Sequence, residues 1–121
     1  MRALLLVVLG SALGGAARFL IAGWVGARLG GAFPWGTVLV NVSGSALIGA
    51  LAAREEILSP EARQFLMAGV LGGFTTFSSF SLQTLRLAQE GDWARAAGNV
   101  LGSVCLCLAA VAVGYRLARL A

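Results

Sequence analysis

Four long segments dominate this chain of 121 residues, and Arg18 is the only charged side chain inside them. They cover residues 3–27, 29–53, 64–85 and 96–115. As helices rising about 1.5 Å per residue, all four could cross a hydrocarbon core about 30 Å thick. The segments therefore predict an all-α membrane protein with a single domain. Its four transmembrane helices are expected at approximately residues 3–27, 34–53, 63–86 and 95–118.

Composition supports a lipid-facing exterior and argues against an enzyme. Charged residues make up 12% of the chain and hydrophobic residues 59%, whereas a soluble domain carries about 25% charged residues. The chain contains no His, and its five acids all lie between the apolar segments. General acid–base catalysis needs a titratable group inside a pocket. The arginines flank the segments, as membrane-interface anchors do, and form no basic stripe that would predict nucleic-acid binding.

The distribution of arginine leaves the orientation nearly undecided. With both termini on one side, that side holds five arginines and the other three or four, counting Arg18. So weak a bias under the positive-inside rule leads to the hypothesis that the chain inserts both ways and forms an antiparallel dimer. One alternative is that the start is a signal peptide, with a small-residue region over Ser11–Ala17. Cleavage there would leave three helices.

The middle of the third segment is unusual for a membrane helix. It reads Gly-Gly-Phe-Thr-Thr from Gly72 to Thr76, followed by Phe77 and a run rich in serine. Adjacent glycines weaken a helix, and Thr or Ser hydroxyls can pair with backbone groups that a break sets free. Discontinuous membrane helices often place free carbonyls around ions. We therefore predict that the third helix is broken at Gly72–Thr76.

Polar side chains repeat every four residues on the other segments. Thr37, Asn41 and Ser45 share one face of the second helix, and Asn99, Ser103 and Cys107 share one face of the fourth. The rings of Phe77 and Phe80 would add positive edges. Neutral donors without a carboxylate favour a path for a small anion, with Arg18 at its mouth. The alternatives are ordinary helix packing, which would also explain the glycine pairs Gly10/Gly14 and Gly98/Gly102, and an Arg18 that reaches to the interface.

Three motifs resemble the signatures of the Fluc (CrcB) fluoride channel family along almost the whole chain. They are GGAARF over residues 14–19, GTVLVNVSG over residues 36–44 and GGFTTFSSFS over residues 72–81. The resemblance implies an inner-membrane protein through which fluoride leaves the cytoplasm passively. Members form antiparallel, dual-topology homodimers with two narrow pores, so the expected partners are fluoride, lipid and a second copy.

The resemblance also implies roles for individual residues. A structural sodium ion, which is not transported, would be held at the dimer centre by the backbone carbonyls of Gly72 and Thr75 of both subunits. Arg18 would be the vestibule arginine. The pore-lining residues implied by the family are Asn41, Phe77, Phe80 and Ser103, to which the shared helix faces add Thr37 and Cys107.

Three positions depart from the family pattern. Cys107 stands where a serine is frequent, Asn99 where many members have Tyr, and Gln83 where many have Glu. Two other functions remain as alternatives. A small multidrug-type proton-coupled transporter would need a carboxylate within the membrane, and the four segments have none. A membrane assembly protein that transports nothing would explain the helices and glycines, but not the hydroxyl-rich break.

Overall fold

Four helical spans make up the chain in a computed structural model, which describes residues 1–121. All four spans are long and apolar enough to cross a membrane, as the sequence predicts. The third span, Pro60–Gln89, is assembled from several pieces. In order, the elements are α1 (Arg2–Leu29), α2 (Trp35–Ala52), a short 3-10 helix (Glu55–Ile57), α3 (Pro60–Arg63), a π-helical stretch (Gln64–Leu71), α4 (Gly72–Phe74), α5 (Phe77–Gln89) and α6 (Trp93–Leu120).

Local signals in the connectors explain where the spans begin and end. The Ser59 side chain accepts a hydrogen bond from the Ala62 N–H at the start of the third span, and Pro60 occupies its first turn. Asp92 caps α6 in the same way through the Arg95 N–H. Gly91, between α5 and α6, has a φ of 81°, a backbone conformation that favours glycine.

Glycine allows the spans to approach one another closely. α1 packs mainly against the first half of the third span, and α2 packs mainly against α6. A Cβ added to Gly73 would lie 2.5 Å from the carbonyl oxygen of Ser11, so only a residue without a side chain fits there. Gly10 and Gly14 pack on the third span in the same manner. By contrast, nothing lies within 4 Å of a Cβ at Gly98 or Gly102.

The third span is interrupted as predicted, although the glycines are not where the chain leaves the helix. Gly72 keeps helical angles, with φ −63° and ψ −37°. Thr75 and Thr76 are extended, with ψ values of 156° and 116°. The break therefore occupies the C-terminal end of the predicted region. The π-helical stretch before it has no signal in the sequence that we could identify.

Most apolar side chains point outward. Only 19 of the 121 residues are buried, while large hydrophobic residues along every span remain exposed. Such a surface is stable against lipid or another protein, not against water. The chain is therefore a multi-pass membrane protein.

Candidate functional site

The break opens into a cavity of about 330 Å³ between α2, the third span and α6. No carboxylate lines this cavity. It brings together most of the site residues predicted from the sequence. These are Asn41, Phe77, Phe80, Ser103 and Cys107, together with Gly72 and Thr75.

The Asn41 side chain forms two hydrogen bonds with the backbone of the break. Its amide Nδ2 donates to the Thr76 carbonyl at 3.0 Å, and its Oδ1 accepts from the Thr76 backbone N–H at 2.7 Å. Both backbone groups of Thr76 thus find partners outside the third span. Because an unpaired backbone group is costly within a membrane, this contact stabilises the extended conformation.

The same contact leaves a backbone carbonyl without its helical donor. In a continuous α-helix, the Thr76 N–H would donate to the Gly72 carbonyl, but here it donates to Asn41. No backbone N–H donates to the Thr75 carbonyl either. Gly72 and Thr75 both line the cavity. Two neutral oxygens at the C-terminal end of a helix segment suit a cation, because that end carries partial negative charge.

Thr76 also starts the second half of the third span. Its hydroxyl oxygen accepts from the Ser79 N–H at 3.2 Å and caps α5. The break therefore joins the carbonyl end of one helix segment to the N–H end of the next. The two ends favour opposite charges: cations at the carbonyl end and anions at the N–H end.

Phe77 and Phe80 form the aromatic wall of the cavity. Their ring centroids are 5.1 Å apart and the planes are inclined by 48°. Phe80 is only 7% exposed, whereas Phe77 is 75% exposed. The cavity is therefore closed by protein at Phe80 and open on the Phe77 side of the chain.

A series of hydrogen bonds leads from the cavity into the contact between α5 and α6. The Ser103 hydroxyl donates to Asn99 Oδ1 at 3.2 Å, and Asn99 Nδ2 donates to Thr84 Oγ1 at 2.9 Å. The Thr84 hydroxyl donates to the Phe80 carbonyl at 2.8 Å. Asn99 is 1% exposed and is one of the two largest fully buried side chains.

A second cavity, of about 390 Å³, lies between the end of α1, the start of α2 and α5. Thr37, one turn before Asn41, lines it together with Gln83 and Arg86. The Gln83 Oε1 atom is buried and has no hydrogen-bond partner. Arg18 is half-buried on α1 and lines neither cavity. The charged side chains that line the second cavity are therefore Arg86 and Glu90.

Sequence reasoning missed several polar contributors. Thr76 was expected only within the break, not as the partner of Asn41 and the cap of α5. A threonine directly before the second half of the span was a readable capping signal, because its hydroxyl oxygen can accept from the backbone N–H three residues later. Thr84 and Arg86 had no comparable signal, because their roles depend on which helix faces them.

Comparison with known proteins gives consistent matches over nearly the whole chain. The family model described as CrcB-like protein, Camphor Resistance (CrcB), matches residues 5–115. A protein of Methylocella silvestris named fluoride-specific ion channel FluC is 55% identical over 90% of this chain and 87% of its own length. A protein of the same name from Opitutus terrae is 53% identical, with 92% and 88% covered. The one from Anaeromyxobacter dehalogenans is 48% identical, with 98% and 97% covered.

Proposed function

The chain belongs to the CrcB-like family, and from this membership we propose that it is a fluoride-selective channel of the inner membrane through which fluoride leaves the cytoplasm passively. The family is one of ion channels and not of enzymes: its members among the relatives are named fluoride-specific ion channels. The observation that carries the proposal is the cavity at the break. Neutral donors and aromatic rings line it, and no carboxylate does.

This lining suits a small, strongly hydrated anion. Amide and hydroxyl hydrogens, with the positive edges of Phe77 and Phe80, replace water around fluoride without a fixed charge that would trap it. A proton-coupled transporter would need a titratable carboxylate in the path. The lining of the cavity therefore favours passive conduction.

The open side of the cavity supports assembly into a homodimer. Phe77 is exposed and the cavity beside it contains polar groups, which are unstable against lipid. A second copy would cover them, and the nearly balanced arginines favour an antiparallel arrangement with dual topology.

A sodium ion at the dimer centre fits the same geometry. Gly72 and Thr75 would hold it through their carbonyl oxygens, one of which lacks its helical donor and the other any backbone donor. One chain offers two such oxygens, and two copies would offer four. The ion would neutralise the carbonyl end of the break and join the subunits. It would not be transported.

Fluoride efflux from liposomes tests the function directly. The purified protein is reconstituted into vesicles loaded with potassium fluoride, potassium ionophore is added, and a fluoride electrode follows release beside a chloride trace. We expect rapid release of fluoride without chloride. Release only under a proton gradient would favour the coupled transporter. No release from folded protein would favour the assembly protein.

The role of the rings is tested in the same assay. Phe77→Ile and Phe80→Ile remove the aromatic edges while keeping an apolar side chain, so we expect severely slowed release from both variants. The matched control is Phe19→Ile, because Phe19 is 79% exposed on α1 and lines neither cavity. Normal release from both ring variants would contradict the ring-edge account while leaving channel function intact.

A further inference from the structure

Three hydrogen bonds in series connect the cavity to the backbone of α5, and all three point the same way. Ser103 donates to Asn99, Asn99 donates to Thr84, and Thr84 donates to the Phe80 carbonyl. In this arrangement the Ser103 oxygen presents lone pairs to the cavity. An anion there needs a donor, so this direction of the series does not serve it.

The middle member of the series can be turned over. A carboxamide carries an acceptor on one side and a donor on the other, and the two are nearly the same size. With the Asn99 amide rotated by half a turn, Nδ2 faces Ser103 and Oδ1 faces Thr84. The Thr84 hydroxyl then donates to Asn99, Asn99 donates to the Ser103 oxygen, and the Ser103 hydrogen is free to point into the cavity.

Neither direction leaves the buried amide unpaired. Asn99 meets one hydroxyl on each side in both states, and each hydroxyl serves equally well as donor or acceptor. The Phe80 carbonyl loses only the Thr84 hydroxyl, since within α5 the Thr84 N–H is its helical donor. The two directions therefore satisfy the same groups, which allows them to exchange.

We propose that Asn99 is a positioning residue whose side-chain amide turns over, reversing the series so that Ser103 donates its hydroxyl hydrogen to an anion in the cavity. The inference rests on the proposed channel function and deepens it. Asn99 itself does not touch the anion. It allows Ser103 to exchange one partner for another without leaving a buried polar group unpaired.

The test is a double-mutant cycle on fluoride efflux. The single variants are Asn99→Leu, which removes the amide at similar volume, and Ser103→Ala, which removes the hydroxyl. We expect Ser103→Ala to slow fluoride release by about tenfold, the effect of losing one hydrogen bond to a charged group. Asn99→Leu should slow it by a similar factor, because a Ser103 hydroxyl without Asn99 turns to a backbone carbonyl instead of the anion. In the double variant we expect no more than the loss seen in either single variant, because both interrupt the same donor.

A second cycle pairs Thr84→Val with Ser103→Ala, and it decides the question if Asn99→Leu fails to fold. Thr84→Val removes the far hydroxyl, whereas the matched control Thr84→Ser retains it. We expect Thr84→Val to slow fluoride release in the wild-type background, because the hydroxyl that would donate to the reversed Asn99 amide is gone. In the Ser103→Ala background we expect Thr84→Val to leave fluoride release unchanged. Thermal unfolding of every variant in detergent accompanies the flux, because a purely structural role would lower stability without this coupling.

Independent effects would overturn the inference: losses that multiply in both double variants mean that Asn99 and Thr84 do not act through Ser103. Unchanged release from Asn99→Leu would overturn it as well. Failure of the proposed function is a separate outcome, because it requires that the wild-type protein itself releases no fluoride. In that case the inference falls with it.

Discussion

Two asparagines lie within the membrane-spanning part of this protein, and they use the same side chain differently. Asn41 bonds to the backbone of Thr76. Asn99 bonds to the hydroxyls of Ser103 and Thr84. A backbone N–H can only donate and a carbonyl can only accept, so the direction of the Asn41 bonds is fixed. Hydroxyls do both, so the direction of the Asn99 bonds can reverse.

The comparison separates a structural from an adaptable use of one residue type. At the break, the rigid pairing keeps Thr76 extended and leaves the Gly72 carbonyl without its helical donor. On α6, the pairing of Asn99 with Ser103 positions a hydroxyl that lines the cavity. A polar residue in a membrane helix therefore indicates its role through the chemistry of its partners, more than through its own identity.

The largest expected difference is in stability. Asn41→Leu leaves the N–H and the carbonyl of Thr76 without partners, and we expect it to lower the free energy of unfolding by about 3 kcal/mol. Asn99→Leu leaves only hydroxyls that can turn to nearby backbone carbonyls, so we expect a loss below about 1 kcal/mol. Denaturant titration in mixed micelles measures both. Equal losses would contradict the distinction between the two asparagines.

Sodium should reveal the same contrast. If the break holds sodium, replacing N-methylglucamine by sodium at constant ionic strength raises the melting temperature of the wild-type protein, because the ion binds the folded state. Asn41→Leu should lose this shift, because without the Asn41 pairing nothing keeps Thr76 extended and the Gly72 and Thr75 carbonyls lose their arrangement at the break. Asn99→Leu should keep the full shift. If sodium still raised the melting temperature of Asn41→Leu, the ion would bind somewhere other than the break.

Two glycines extend the comparison to packing. A Cβ on Gly44 would collide with the Thr75 side chain and lie 3.2 Å from the Phe74 ring. We therefore expect Gly44→Ala to lower stability by about 2 kcal/mol. Gly102, next to Ser103, has nothing within 4 Å of its Cβ position. Gly102→Ala should leave stability unchanged or raise it by up to about 1 kcal/mol, as alanine favours helix. If Gly102→Ala lowered stability more than Gly44→Ala, the backbone at the break would accommodate an added methyl group more easily than its hydrogen bonds indicate.

The smallest expected effect is at Cys107, one turn beyond Ser103 on α6. A thiol is a weak donor and a hydroxyl a stronger one. Since Cys107 lines the cavity, Cys107→Ser should speed fluoride release by about threefold, less than a whole hydrogen bond to the anion because a weak donor is replaced by a stronger one. Stopped-flow or electrode traces at equal protein-to-lipid ratio measure it. Unchanged or slower release would contradict a donor role of the side chain at position 107.

Much of the architecture follows from local features of the sequence. Four segments with Arg18 as their only charge predicted four spans, and the hydroxyl-rich motif after Gly72 predicted the interruption of the third. Ser59 and Asp92 act as capping residues at the starts of helices. Each side chain accepts a hydrogen bond from the backbone N–H three residues later. These features act within one turn of the chain or on a whole segment against lipid. Neighbouring helices are not needed to define them.

The tertiary structure decided where each polar group finds its partner. Gly73 was expected to weaken the helix, yet it stays helical, and its missing side chain serves the contact with Ser11. Asn41 was expected to line a pore, and its side-chain amide also forms hydrogen bonds with the backbone of Thr76. Asn99 and Thr84 are fifteen residues apart and meet only because α5 and α6 pack together. A hydrogen bond depends on distance and direction between two helices, and periodicity along one segment specifies only the face from which each side chain points.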